Sequence, residues 1–188
     1  MKNVIFIVVL FIVAKSIQSQ NKLEVGASFS LVKFSNTNAA IIGDRYLFQV
    51  PSLNATYQIT ERFSLGLEWS FNTIKSLGFI SNSVKYNSYG GYLRYNFKSE
   101  SDFLNPYAIL GSTIVKSENY AIPTLNFGVG NTYWITDKIG VNSQIVYKFS
   151  ALRFQSIRPH FQFSGGIVYR FDFNIFSAPR KRLWEVNH

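Results

Sequence analysis

The chain has 188 residues, of which 47% are hydrophobic and 17% aromatic but only 15% charged. That is too little charge to coat a soluble surface of this size, and with no cysteine a disulfide framework, a thiolate metal site and a cysteine-linked lipid are excluded. The 19 Lys and Arg outnumber the 10 Asp and Glu, a balance that alone would admit nucleic acid as a partner. The basic residues are spread along a chain that reads as exported, so nucleic acid is a poor candidate.

The first twenty residues, MKNVIFIVVLFIVAKSIQSQ, place Lys2 ahead of an unbroken apolar run from Val4 to Ala14. A short polar stretch with small residues follows. This is the layout of a secretory signal peptide, with Ser19–Gln20 as the cleavage point. A membrane anchor would need about 20 apolar residues, and Lys15 ends the run too soon. The expected organisation is therefore 1–19 signal peptide, 20–173 one domain, and 174–188 a periplasmic C-terminal tail.

Beyond the leader no segment reads as helical. Period-two alternation recurs over 22–34, 46–60, 62–74, 84–98, 104–116, 121–136, 138–150 and 158–173. These stretches are long for soluble strands and suit strands that cross an outer membrane at a tilt. In the first, Leu23, Val25, Ala27, Phe29 and Leu31 alternate with Glu24, Gly26, Ser28, Ser30 and Val32. In the last, Phe161, Phe163, Ile167, Tyr169 and Phe171 alternate with His160, Gln162, Ser164, Val168 and Arg170. Pro51, unable to donate to a ladder, marks a bulge or the upper end of its strand.

The connections alternate too. Tight turns fall at 60–62, 99–103 and 136–138, and longer links at 35–45, 75–83 and 151–157, with a shorter one at 117–120. Short and long connections taking turns specify an all-β, eight-stranded, antiparallel up-and-down transmembrane β-barrel with both termini on the periplasmic side. A soluble lipocalin-like barrel would turn a charged face outward. Here the polar sets are Gly, Ser, Asn and Gln with few charges, which suits a narrow lumen. Tyr57, Phe63, Tyr95, Phe97, Tyr133, Trp134, Phe171 and Phe173 gather near strand ends, as in an aromatic girdle at a membrane interface.

With these features the chain resembles the small outer-membrane β-barrel proteins of Gram-negative bacteria, of the OmpX and OmpA transmembrane-domain type and the Bacteroidota outer-membrane barrel family. The resemblance spans 20–173. SGGIVYRF, through Ser164, Gly166, Tyr169 and Phe171, resembles the C-terminal β-signal that the outer-membrane assembly machinery reads in such proteins. NPYAILGS and NFGVGNTYWITDKIGVNSQIVYKF resemble their fifth to seventh strands. The tail after Phe173 departs from the pattern and is too short for a peptidoglycan-binding domain.

Inward positions hold Glu24, Glu68, Arg94, Lys148, Arg170 and Asp172, with His160 above them. These charges are expected to form ion pairs that plug a lumen just wide enough for side chains. Glu68 and Arg94 lie on adjacent strands, and Arg170 and Asp172 should meet Glu24 where the barrel closes. Lys33, Arg45, Lys75, Lys85, Lys116, Arg153 and Arg158 fall at the long-link rim, a basic edge suited to lipopolysaccharide phosphates. The alternative reading of that edge is ordinary loop solubility.

Lipid A deacylases and palmitoyltransferases are small barrels with catalytic His and Ser. His160 here has Gln162 and Ser164 beside it but no third group to orient it. No carboxylate cluster suggests a metal, and no Gly-rich loop has phosphate-binding spacing. The expectation is a non-enzymatic envelope or surface barrel without cofactor, with outer-membrane lipids, lipopolysaccharide and the assembly machinery as partners. The alternatives are a narrow pore, a lipid A-modifying enzyme, and an accessory barrel of a secretion system resembling PorT-type proteins.

Overall fold

The computed structural model describes residues 22–42, 45–72, 76–77, 80–82, 85–97, 103–117, 120–150 and 158–172. The expected signal peptide, the expected C-terminal tail and Phe173 lie outside them. The barrel strands are β1 (Lys22–Lys33), β2 (Tyr46–Gln58), β3 (Phe63–Phe71), β6 (Asn87–Asn96), β7 (Leu104–Ser117), β8 (Tyr120–Trp134), β9 (Ile139–Phe149) and β10 (His160–Asp172). Between β3 and β6 sits a two-rung hairpin of β4 (Ser76–Leu77) and β5 (Ile80–Ser81). Every barrel pair is antiparallel, and β1 closes on β10 from Lys22↔Asp172 to Lys33↔Phe161.

The eight strands are those that the alternation predicts, trimmed to between 9 and 15 residues. One expectation fails. The first long link contains a seven-residue helix, α1 (Asn36–Ile42). Ser35 starts it: its carbonyl accepts from Ala39 N at 2.8 Å and its Oγ from Asn38 N at 3.4 Å. Two turns of helix are too few to print a 3.6-residue period on the sequence, so only the capping serine announced it.

The tight turns are built by local chemistry. Ile59-Thr60-Glu61-Arg62-Phe63 and Ile135-Thr136-Asp137-Lys138-Ile139 are two copies of one turn. In each, the threonine hydroxyl accepts the backbone N–H groups two and three residues on, at 3.3 and 2.9 Å. A short hydroxyl side chain that replaces a backbone acceptor is what fixes such a turn. Pro51 lies at a bulge, as its missing N–H requires: Ser28 faces Ser52 while Ser30 faces Gln49, so Val50 and Pro51 together oppose Phe29.

The two faces of the wall differ throughout. Val25, Phe29, Leu65, Leu67, Trp69, Leu110, Val129, Ile145 and Ile167 are exposed on the outside. Glu24, Ser30, Gln49, Thr56, Ser70, Asn96, Thr113, Asn126, Lys148 and Gln162 are buried inside. A soluble barrel would have this inverted. An apolar exterior over a closed hydrogen-bonded wall is the arrangement lipid demands.

An eight-stranded lumen leaves little space, and aromatic rings fill it where glycine makes room. The Tyr92 ring lies against Gly66 and the Tyr107 ring against Gly130, each where a methyl group would overlap the ring. Tyr92 Oη meets Thr56 Oγ1 at 2.6 Å, and Tyr107 Oη accepts from Asn142 Nδ2 at 2.7 Å. Gly66→Val should therefore push Tyr92 off the wall and lower folding stability by about 1–3 kcal/mol, the usual cost of overpacking. Urea titration of the refolded barrel, read by gel mobility, checks this. An unchanged midpoint would show that Tyr92 has slack.

Candidate functional site

The lumen is stacked in layers. Nearest the short turns, Glu24 accepts from two guanidiniums: Arg94 Nη1 to Oε2 at 3.0 Å and Arg170 Nη2 to Oε1 at 2.9 Å. All three side chains are nearly fully buried. Each guanidinium also lies over a ring, Arg94 over Tyr107 at 4.1 Å and Arg170 over Trp134 at 3.7 Å. Arg94 Nε further donates to Asn96 Oδ1 at 2.8 Å. Desolvated ions are tolerated only with this density of partners.

Higher up, Lys148 Nζ donates to Glu68 Oε1 at 2.9 Å and to Ser88 Oγ at 3.2 Å. Beside it run short polar links: Ser52 with Ser70 at 2.7 Å, Thr113 with Thr124 at 2.8 Å, and Asn126 Nδ2 to Thr113 Oγ1 at 3.1 Å. At the long-link end the lumen turns apolar. Val32, Phe34, Leu47, Tyr86, Val115 and Ile122 form one buried cluster. His160 is sealed among them, with Phe34 5.2 Å and Tyr86 5.5 Å from its ring centre. Its Nε2 meets Tyr86 Oη at 2.5 Å, and its Nδ1 meets the Arg158 carbonyl at 2.7 Å.

The expected lumen charges are thus brought together, in a different pairing from the one adjacency suggests. Glu68 and Arg94 do not pair with each other. In register Arg94 faces Ser64, four residues from Glu68, and Glu68 faces Gly90. Each reaches across the lumen instead, Arg94 to β1 and Glu68 to β9. Arg170 meets Glu24 as expected. Asp172 faces Lys22 in register, and its side chain lies outside the described residues. Trp134, assigned to the outer girdle, points inward under Arg170. Parity with Thr132 and Gly140 carried that signal, since Tyr133 is the member of the pair that faces out.

Tyr86 was not singled out from the sequence, although it shares its parity with Ser88 and Arg94. The hydroxyl of Ser164 is occupied by Ser30 at 2.9 Å, so His160 and Ser164 do not form a base–nucleophile pair. In the β-signal stretch, Gly166 lies where a side chain would overlap Ala27 and Ser28 of β1. Tyr169 and Phe171 stack outward at 4.6 Å.

At the long-link rim, Lys33 lies opposite both Tyr46 and Phe161 in register. Arg45 is exposed, its guanidinium 5.7 Å from the centre of the Tyr46 ring. Lys85 and Lys116 are exposed, and Lys116 faces Asn87, two residues on from Lys85. Arg158 is half-buried over His160. Lys75 and Arg153 lie outside the described residues.

No family model matches the chain, and no curated protein does. Solved structures do. The N-terminal β-barrel domain of OprF from Pseudomonas aeruginosa superposes with a TM-score of 0.60 at 16% identity, over 82% of this chain and 100% of that one. The outer membrane protein OprG of the same organism gives 0.59 at 12%, over 81% and 97%. Neisserial surface protein A gives 0.54 at 15%, over 82% and 98%. The chain therefore has the eight-stranded fold of small outer-membrane barrels.

Because Glu24 serves two guanidiniums and Glu68 one ammonium, Glu24→Gln should be the costlier change. Removing one member of a buried ion cluster costs about 3–5 kcal/mol, and Glu68→Gln should fall below that range. Denaturant midpoints of the two variants against wild type check the order. Equal midpoints would mean that the Glu24 cluster contributes no more than the Glu68 pair.

Proposed function

We propose that the protein is a non-enzymatic integral outer-membrane barrel with a plugged lumen, acting in envelope structure or surface interaction, with both termini periplasmic. The observation that carries this reading is the double closure of the lumen. Buried ions fill the short-turn end and an apolar cluster around His160 fills the other. A cluster of buried apolar side chains disfavours water at one end, and an ion that entered the other would have to displace a multiply bonded charge.

Function then falls to the surfaces. Lys33, Arg45, Lys85, Lys116 and Arg158 all belong to the long-link end. They flank outward aromatic residues there, which suits the phosphates of lipopolysaccharide above an apolar band. The fold likeness supports the outer membrane as the location. Ser164, Gly166, Tyr169 and Phe171 would serve the assembly machinery, with the two aromatics on the lipid side. Against lipid A chemistry stands the burial of His160, whose ring nitrogens face Tyr86 and the Arg158 carbonyl.

The test is conductance of the refolded protein in a planar lipid bilayer, beside Glu68→Ala and Arg94→Ala. The wild type should be silent. Steady wild-type conductance altered by either substitution would replace this reading with a narrow pore. In parallel, His160→Ala should leave the lipid A mass spectrum of the host unchanged. A missing acyl modification in that strain would make the protein an enzyme.

A further inference from the structure

Just below the Glu24 cluster, toward the short turns, three inward side chains carry unmet donors. Asn96 Nδ2, Asn105 Nδ2 and Trp134 Nε1 are buried and reach no hydrogen-bond acceptor among the described residues. Asn96 and Asn105 are 0% exposed and Trp134 6%. A buried donor without a partner costs free energy that an apolar residue in its place would not. Three of them at one height point to a partner that they share.

Register places them side by side. Asn96 ends β6 opposite Tyr107, so Asn105, two residues before Tyr107, is its diagonal neighbour on β7. Asn105 faces Thr132 on β8, and Trp134 comes two residues later. Diagonal neighbours on one face are about 7–8 Å apart, near enough for such side chains to converge. Both ends of the arc are pinned. Arg94 Nε donates to Asn96 Oδ1 at 2.8 Å, and Arg170 lies over the Trp134 ring at 3.7 Å. The acceptors just above are taken, since Tyr107 Oη and Thr132 Oγ1 both accept from Asn142 Nδ2.

The polarity of these groups names the occupant. A guanidinium only donates, so Arg94 fixes the Asn96 amide with its oxygen toward the arginine and its NH2 away from it. An indole N–H only donates as well. Asn105 is unpartnered at both ends, so its NH2 can turn to the same point. The other acceptor left over in this layer, Gln58 Oε1, is two strands away on β2. An arc of N–H donors beside two guanidiniums favours negative charge. Glu24 already engages both guanidiniums, and Lys22 and Asp172, one of each sign, face each other in register at the mouth. A single negative charge therefore suits the site better than a double one, and only a small ion reaches donors on three adjacent strands at once.

We propose that Asn96, Asn105 and Trp134 bind one small monovalent anion, chloride, at the short-turn mouth of the lumen. The site lies inside the barrel, away from the rims that carry the proposed role. An ion held there ties β6, β7 and β8 together below the Glu24 cluster.

The experiment uses the full chain, 15N-labelled and refolded into detergent micelles, with gel mobility confirming the barrel. The tryptophans are Trp69, Trp134 and Trp184, and loss of one indole N–H resonance in Trp134→Phe identifies the relevant signal. Sodium chloride then replaces sodium gluconate at constant ionic strength. The Trp134 resonance should shift saturably while the other two stay in place. Asn105→Leu should weaken the apparent affinity about tenfold, as loss of a charged hydrogen bond does, and Asn105→Ser serves where leucine perturbs folding. Asn96→Asp, which keeps an acceptor for Arg94 but replaces the donor, should abolish the shift. Chloride should also raise the urea midpoint of the wild type and not of Asn105→Leu, because a ligand bound only to the folded state stabilises it. No saturable shift, an equal shift with acetate or sulfate, or unchanged affinity in a folded variant would overturn the proposal. So would a Trp134 N–H that exchanges freely with water in saturating chloride, since water would then meet the donors.

Discussion

Every feature of this molecule follows from one constraint: a backbone in hydrocarbon has no water to bond, so its N–H and C=O groups must pair with each other. The unbroken ladder between β1 and β10 meets it, joining residues nearly 150 positions apart in sequence. Without that closure the barrel would present two bare edges to lipid. The closing seam is correspondingly tight, with Gly166 admitting β1 so closely that a side chain would overlap its backbone. The polar groups of the strands are thereby spent on each other, and the side chains are free to be apolar outside.

The same closure sets the problem of the inside. Eight strands enclose a space that must be filled, since a dry void loses contacts and a wet one admits ions. Two fillers are used in different layers. Where the wall carries glycine, tyrosine rings lie flat and their hydroxyls are taken up by Thr56 and Asn142. Where long charged side chains reach in, two of them converge from different strands on one carboxylate. A glutamate shared by two arginines that also stack on aromatic rings ties β1, β6 and β10 together across the lumen. It does so near the short turns, where the strands are already held by the threonine-capped loops.

Much of this was legible in the sequence because membrane barrels write their geometry in period two. Parity alone put Glu24, Arg94, Lys148, His160 and Arg170 inside and found all eight strands. It failed where a signal was shorter than a period or depended on three dimensions. Helix α1 is seven residues long. The placement of Trp134 turned on choosing between two adjacent aromatics, and Tyr133 was the one facing out. The partners of Glu68 and Arg94 depend on how far side chains reach across the lumen, a distance that strand adjacency does not encode.

The two ends of the lumen differ in kind, and that difference bears on where function resides. The short-turn end is closed by paired charges. The long-link end is closed by Val32, Phe34, Leu47, Tyr86, Val115 and Ile122 around a histidine with both ring nitrogens engaged. A path through the barrel would have to open both, and loosening the ionic layer does nothing to the apolar one. On the proposed reading, a substitution that only unpairs Arg94 opens the ionic layer and leaves the apolar one in place. The proposed role, a wall component that works through its rims, accounts for both closures.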